Sequence, residues 1–408
     1  MNISAFLNEC ENDLRETFSK LEAVERFNTR KILKAFQEKG VSYRHFTPTT
    51  GYGYDDIARD TLETIYARVM NAESAIVRPH IASGTHALAT CLFGILRPGD
   101  AMICAAGAPY DTMRQVIGIE GKAGTGSLKD LGVEYRQAEL KADGSIDIPA
   151  VLALIDKKVR LVLLQRSRGY EWRKAISIDE IERLCKAVHA ASDRAIVMVD
   201  NCYGEFTREN EPTSVGADVI AGSLIKNPGG GLAPTGGYIA GGKEMVELVS
   251  YRLTCPGIGS EVGSYAADYR PFYQGLFMAP HAVCQALKTA NLAARAFEKL
   301  GMEVSPKPGE ERDDIIQAIR FASERDLTDF VRQIQMASPV DSYAVPEAWD
   351  MPGYEDRVIM AAGTFVAGAS IELSCDAPIR EPYTAYMQGA LTYEHGRYAI
   401  ERALEALA

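Results

Sequence analysis

Lys226 follows a short apolar run, Val219 to Ile225, and precedes Asn227-Pro228-Gly229-Gly230-Gly231. The run predicts a strand, and the loop after it cannot be helical. A lysine between the two is an odd place for a solvated surface charge. The chemistry that uses it is imine formation, in which an amine with its pKa lowered by burial or nearby cations condenses with an aldehyde cofactor. Taken alone, the same residue also reads as a surface lysine in a glycine turn. Three further features converge on the chemical reading. Asp200 ends a strand within IVMVDNCYGEF, and Ser223 lies shortly before Lys226. Upstream, Ser83-Gly84-Thr85 opens a helix of small and apolar residues. A Gly-Thr turn at a helix start offers backbone amides, a hydroxyl and the positive dipole end, which suit a phosphate. Its plainer reading is an N-cap by Ser83 or Thr85.

A lysine for an aldehyde, an aspartate for a pyridine nitrogen and a phosphate cup at a helix start are the parts that pyridoxal phosphate needs. The aspartate keeps the ring nitrogen protonated, so the ring can absorb the electrons of a substrate carbanion. Lys226, once released by substrate, is then the natural base for the α-proton.

These residues need elements to hold them. Strands are predicted at Ser74 to Val77, Ala101 to Ala105, Val133 to Ala138, Val159 to Gln165, Ala195 to Asn201, Ala217 to Gly222 and Gly237 to Ala240. Helices alternate with them, including Ile148 to Lys157 and Ile178 to Ala191. That rhythm implies a mostly parallel sheet covered on both faces, with ligands at the carboxyl ends of its strands. Asp200 and Lys226 fall at such ends. A single amphipathic helix is predicted from Ile3 to Lys39, and a long helix from Pro280 to Leu300 bridges to a second unit. That unit carries strands near Ile315 to Phe321, Arg357 to Ala362 and Ser370 to Cys375, and helices near Asp326 to Met336 and Tyr383 to Leu407. The expected organisation is an N-terminal helical arm or small-domain part (1–45), a large cofactor-binding domain (46–280), the bridging helix (281–300) and a smaller α+β C-terminal domain (301–408).

Composition narrows the function classes. The chain has 408 residues, 47% of them hydrophobic, ample for a large core. A net charge of -11, with no long basic run, argues against general nucleic-acid binding. No apolar run is long enough to span a membrane. The 8 cysteines are scattered without a CxxC pair, and the 6 histidines form no metal motif. Buried thiols in a reducing cytoplasm explain that pattern. The N-terminus, MNISAFLNECENDLRE, has acids where a signal peptide carries basic residues. GIGSEVG, Gly257 to Gly263, resembles a dinucleotide loop only loosely, because its glycine spacing is wrong and no strand precedes it.

HIASGTHAL (His80 to Leu88), VDNCYGEF (Val199 to Phe206), GSLIKNPGGGLAPTGGYIAGG (Gly222 to Gly242) and DAPIREPYTAYMQGALTYEH (Asp376 to His395) carry a family resemblance. The chain resembles the fold-type I pyridoxal phosphate enzymes of the cystathionine/methionine γ-lyase-like group. Within that group it is similar to the bacterial "aluminium resistance protein" family. The resemblance implies a fold-type I, aminotransferase-like α/β architecture: a large mostly parallel sheet domain sandwiched by helices, plus a smaller α+β C-terminal domain. It implies that Lys226 bonds the cofactor, that Asp200 pairs with the ring nitrogen, and that Gly84, Thr85 and Ser223 hold the phosphate. It places Tyr110 against the ring, where it stacks and assists proton transfer, or else packs as a core tyrosine. Tyr52 and Tyr54, in the aromatic loop HFTPTTGYGYDD, would reach the phosphate of a neighbouring subunit, which implies a homo-oligomer, dimer or tetramer. Arg380 either binds the substrate α-carboxylate in a two-pronged contact or makes a surface salt bridge.

Two departures from the group stand out. Cys202 occupies the place of a threonine beneath the ring. Arg166, Arg168 and Arg173, in QRSRGYEWR, predict a more anionic substrate pocket. The reaction implied is β- or γ-elimination at a sulfur-bearing amino-acid side chain. Aminotransfer and retro-aldol cleavage are rivals on the same cofactor, and a non-catalytic cofactor-binding stress protein is the rival from another class.

Overall fold

The computed structural model describes residues 2–351, 354 and 356–407. Its large sheet has seven strands. They are β1 (Ser74–Arg78), β2 (Ala101–Cys104), β3 (Glu134–Gln137), β4 (Val159–Gln165), β5 (Ile196–Asp200), β6 (Val219–Ser223) and β7 (Gly237–Gly241). The order across the sheet is β1-β7-β6-β5-β4-β2-β3. Strands β2 to β6 are parallel, and β7 runs antiparallel to both of its neighbours. Every residue of β5, β6 and β7 is buried, because helices cover both faces of the sheet.

The helices are α1 (Ile3–Asp13), α2 (Arg15–Glu38), α3 (Ile57–Val69), α4 (Gly84–Ile95), α5 (Asp111–Ile117), α6 (Ile148–Ala153), α7 (Ile178–Ala191), α8 (Lys243–Leu253), α9 (Arg270–Lys299), α10 (Glu324–Met336) and α11 (Tyr393–Leu407). On one face of the sheet, Leu88 and Leu92 of α4 and Val249 of α8 pack on Ile76, Met198 and Ile239. On the other, Leu62 of α3, Ile181 of α7 and Leu276 of α9 pack on Val77, Val197 and Ile220.

A second core belongs to an antiparallel sheet of five strands, in the order β10-β11-β12-β9-β8. These are β8 (Val304–Ser305), β9 (Gln317–Arg320), β10 (Val358–Ala361), β11 (Ser374–Pro378) and β12 (Thr384–Gln388). Helix α9 serves both cores: its Phe272 to Leu287 part packs in the first, and Leu292 and Phe297 pack in the second.

The structure corrects three predicted elements. The N-terminal helix is two helices, broken at Leu14 with φ -98 and ψ 2. The break lets Leu7 and Cys10 of α1 enter the second core while Ile32 and Ala35 of α2 enter the first. The long helix starts at Arg270, with a proline in its first turn, and Pro280 lies inside it. Pro271 is thus the start signal, and Pro280 costs the helix only one backbone donor in a segment anchored on both sides. Finally, residues 384–388 are strand β12 and not the beginning of the last helix. TAYMQ has the period of a strand: Ala385 and Met387 enter the second core, while Gln388 faces a cavity. Gly389 ends that strand at φ +77, where a Cβ would lie 2.1 Å from the Glu372 carbonyl oxygen.

Among the described residues, no helix is long and apolar enough to cross a membrane. The cysteines are free, and all but Cys255 are buried.

Candidate active site

A cavity of about 390 Å³ opens where the carboxyl ends of β4, β5 and β6 meet the small sheet. This is where an open parallel sheet binds ligands. Gly84, Thr85, Tyr110, Asp200, Cys202, Ser223, Lys226 and Arg380 all line it. Tyr52 and Tyr54 do not. They stand on the surface, 73% and 60% exposed, with their rings 5.7 Å apart.

Strands β5 and β6 are parallel neighbours, so their ends deliver Asp200 and Lys226 to the same edge. A side-chain clamp fixes the two loops to one another. The Asn227 amide donates to the carbonyls of Tyr203 and Glu205, each at 3.0 Å. The loop after Lys226 is as tight as its glycines require: a Cβ at Gly230 would lie 2.4 Å from the Gly275 carbonyl oxygen. Asp200 accepts a hydrogen bond from the Cys202 backbone N–H at 3.1 Å. Burial raises the Asp200 pKa, against the pull of Lys226 and of that amide.

The lysine itself departs from expectation. Burial pushes its pKa down, as the sequence argument wants, but Cys202, Tyr203, Asp200 and Tyr110 push it up and prevail. The Lys226 ammonium also sits 4.0 Å from the centre of the Tyr203 ring, a cation–π contact that favours the charged form. The direction of the shift and the ring contact both favour the ammonium form of Lys226 before cofactor binds.

Helix α4 supplies the cup. Ser83 is its N-cap, and the hydroxyl accepts the His86 N–H at 3.1 Å. The Gly84 and Thr85 amides belong to the first turn, where helix geometry provides no backbone acceptor. Gly84 faces the end of β6: a Cβ there would lie 3.3 Å from Cys202 Sγ and 3.5 Å from Ser223 Cβ. The Thr85 hydroxyl bonds the Tyr110 hydroxyl at 3.0 Å, and Tyr110 N–H donates to the Gln165 side chain at 3.0 Å. Burial, and then Asp200, raise the Tyr110 pKa, so its phenol is neutral. A cradle without a side chain, two amides at a helix start, a buried carboxylate and a half-buried amine together fit a phosphate-bearing aldehyde with a basic ring nitrogen.

The three arginines of 165–173 do not jointly line the cavity, so they do not adapt it together to an anionic substrate. Arg166 is fully buried away from the cavity and braces the loop after β5, donating to the Asn201 side chain at 2.8 Å and the Gly204 carbonyl at 2.9 Å. A Cβ on Gly204 would collide with that guanidinium at 2.5 Å. Arg173 pairs with Glu171 at 2.8 Å and also stays outside. Only Arg168 lines the cavity, and its Nη1 donates to the Ser305 carbonyl at 2.8 Å. Arg380 stands at the rim with its side chain 53% exposed and donates to Asp356 at 2.9 Å.

Sequence reasoning missed Tyr203, Tyr170, Gln165 and Asp376, which also line the cavity. Tyr203 has φ 69, a left-handed conformation that an aromatic residue rarely adopts. Alternation accounts for Asp376 once the core is known: Cys375 and Ala377 enter the second core, so Asp376 and Pro378 face the other way.

Residues 3–408 match the sequence profile of the family described as methionine gamma-lyase. The chain belongs to the methionine gamma-lyase family. It is thus a carbon–sulfur lyase-like enzyme on the fold of pyridoxal phosphate-dependent type I proteins. A crystal structure of a carbon-sulfur lyase involved in aluminum resistance from Clostridium novyi NT is 50% identical, covers 100% of this chain and 96% of its own, and superposes with a TM-score of 0.96. The uncharacterized protein YnbB of Bacillus subtilis (strain 168) is 49% identical over 98% of this chain and 95% of its own length. The fold extends to the pyridoxal-5'-phosphate dependent protein YhfS from Escherichia coli, 13% identical, with 95% and 97% of the two chains covered and a TM-score of 0.64.

Proposed function

We propose that this family member is a pyridoxal phosphate-dependent lyase that takes the α-proton from a sulfur-bearing amino acid and cleaves its carbon–sulfur bond by β- or γ-elimination. The observation that carries this reading is the placement of half-buried Lys226 and buried Asp200 at the ends of adjacent parallel strands, facing the first turn of α4. When bound, the cofactor supplies an electron-withdrawing ring that accepts the electron pair of the broken Cα–H bond.

The chain's own residues do the rest. Lys226 is the amine for the aldehyde and, once displaced by the substrate amine, the base at Cα. Asp200, buried at the end of β5, would pair with the ring nitrogen and keep it protonated. The Gly84 and Thr85 amides and the Ser223 hydroxyl hold the phosphate dianion. Tyr110, oriented by Thr85 and Gln165, stacks on the ring, and its hydroxyl is available for proton transfer. Cys202, beside Gly84 and hydrogen-bonded to Asp200, fills the underside of the ring. Arg380 binds the substrate carboxylate by exchanging Asp356 for it at the rim. Elimination releases a thiol and, after hydrolysis, a keto acid and ammonia.

The working form is a homo-oligomer, dimer or tetramer, in which Tyr52 and Tyr54 of one subunit approach the phosphate of the next. Their exposure supports this reading, since rings so placed gain from a partner's surface. Free, mostly buried thiols fit a cytoplasmic setting.

The visible spectrum of the purified protein tests the assignment. A band near that of a lysine-bound cofactor, bleached by borohydride and mapped to a Lys226 peptide, is the expected result, together with thiol release from an S-substituted cysteine or homocysteine. A borohydride-reducible adduct at the same site in Lys226→Ala would overturn the role of the lysine. Absence of thiol from the whole panel would overturn the reaction.

A further inference from the structure

Elimination of a thiol needs two proton movements, and Lys226 provides only the first. Among the described carboxylates lining the cavity, Asp200 and Asp376 are the buried ones, each 6% exposed. Asp200 is committed to the ring side of the site. Glu171 is 52% exposed in its ion pair with Arg173, and Asp356 is engaged by Arg380. Asp376 comes from the opposite wall. Strand β11 pairs Asp376 with Met360 on one side and Tyr386 on the other, and strand alternation turns its side chain out of the second core toward the cavity. Gln388 donates to its Oδ2 at 3.1 Å. Its Oδ1 is buried and has no hydrogen bond of ordinary geometry among the described residues, although the Tyr170 phenol lies close enough to lower its pKa. A buried carboxyl oxygen without such a bond is costly, and its presence beside a substrate cavity calls for a ligand atom or a proton.

We propose that Asp376 is the acid that protonates the departing sulfur as the carbon–sulfur bond breaks, a role that rests on the lyase reading above. For β-elimination the balance is as follows. Lys226 takes the Cα proton, and that electron pair becomes the second bond between Cα and Cβ. The Cβ–S bond breaks, and its pair stays on sulfur. The Asp376 proton moves to sulfur, leaving a carboxylate and a neutral thiol. Water restores the proton before the next turnover.

Acid strength is matched to the task. Burial raises the Asp376 pKa to about 6, against the lowering influence of Tyr170, Gln388 and Lys226. A free thiol sits at about 8.5, so transfer to a thiolate runs downhill. The Tyr110 phenol holds its proton far more firmly and shares its hydroxyl with Thr85.

The test uses the holoenzyme of Asp376→Asn and two substrates with the same carbon skeleton, one releasing an alkyl thiol and one a nitrophenyl thiol. A nitrophenyl thiolate leaves without protonation. The expected result is a loss of alkyl-thiol release of about 10²- to 10⁴-fold, nitrophenyl-thiol release within a few-fold of wild type, and undiminished exchange of the substrate α-proton in deuterated water. The ratio of the two thiols is independent of how much enzyme folds, so a destabilised variant still reports. Asp376→Glu keeps a carboxyl and should recover part of the ratio. An equal fall for both thiols, or no fall for the alkyl one, overturns the assignment. So does a leaving-group-selective loss in Tyr110→Phe that Asp376→Asn does not share. Failure of wild-type enzyme to exchange the α-proton would instead sink the lyase reading.

Discussion

Gly84→Ala separates cofactor binding from folding. Gly84 opens α4 with an ordinary helical φ, so alanine fits its backbone and can add up to about 1 kcal/mol of helix propensity. The added methyl would stand 3.3 Å from Cys202 Sγ and 3.5 Å from Ser223 Cβ. Both contacts are tolerable after a shift of a few tenths of an ångström. Without cofactor, denaturant unfolding should therefore change by no more than about 1 kcal/mol. The cup is another matter. A methyl lying between the α4 amides and the end of β6 occupies room that a phosphate needs and pushes it off at least one amide. A hydrogen bond to a charged acceptor is worth about 1.5–3 kcal/mol. Its loss corresponds to about a 10- to 150-fold weaker Kd. The assay is titration of apoenzyme with pyridoxal phosphate, followed by absorption and paired with cofactor-free unfolding. Gly222→Ala is the contrasting control, because its Cβ would lie 2.6 Å from both Glu205 Oε1 and Tyr238 Cε1. That variant should lose about 1–3 kcal/mol of stability before any cofactor is added. An unchanged Kd in Gly84→Ala would refute the phosphate cup.

Two more outcomes are expected. Burial raises the pKa of Glu205 to about 8, although Tyr238 donates to its Oε1 at 2.8 Å. The folded state therefore binds a proton that the unfolded chain releases above about 4.3, and stability falls as pH rises from there through 8. Glu205→Gln removes that dependence, so its denaturation midpoint should drop less than wild type's between pH 6 and pH 9. Parallel curves would show that Glu205 is ionised in the fold. The Tyr52→Ala/Tyr54→Ala double variant should bind cofactor at least about tenfold more weakly, as loss of two ring contacts predicts. A dissociated monomer that binds as tightly as the oligomer would end the shared-site idea.

The lysine and the aspartate were legible in the sequence because strand ends in a parallel sheet share an edge. Apolar runs ending in Asp200 and shortly before Lys226 therefore imply neighbourhood without any knowledge of distance. The arginines of 165–173 were misread for a physical reason. Whether a guanidinium faces a ligand or braces its own loop depends on Gly204, Asn201 and Ser305, which are remote in sequence. Strand β12 was hidden because five residues of alternation precede an amphipathic helix with only residues 389–392 between them. The direction of the Lys226 pKa was equally out of reach, since it depends on side chains from two other segments, the end of β5 with its loop and the turn at Tyr110. Asp376 was visible only in retrospect, once the register of β11 had placed Cys375 and Ala377 in the core.

That register divides the labour of the site in a way that an engineer can use. The small-domain strands place core residues and cavity residues on opposite faces, so their odd and even positions answer to different demands. Val358, Asp376, Pro378 and Gln388 form one wall of the cavity, whereas Ile359, Ala361, Cys375 and Met387 hold the second core. The large domain supplies the lysine, the aspartate and the cup from rigid strand ends. A combinatorial library confined to the cavity-facing positions other than Asp376 and its partner Gln388 would thus vary substrate preference while leaving both the reaction machinery and the packed interior as they are.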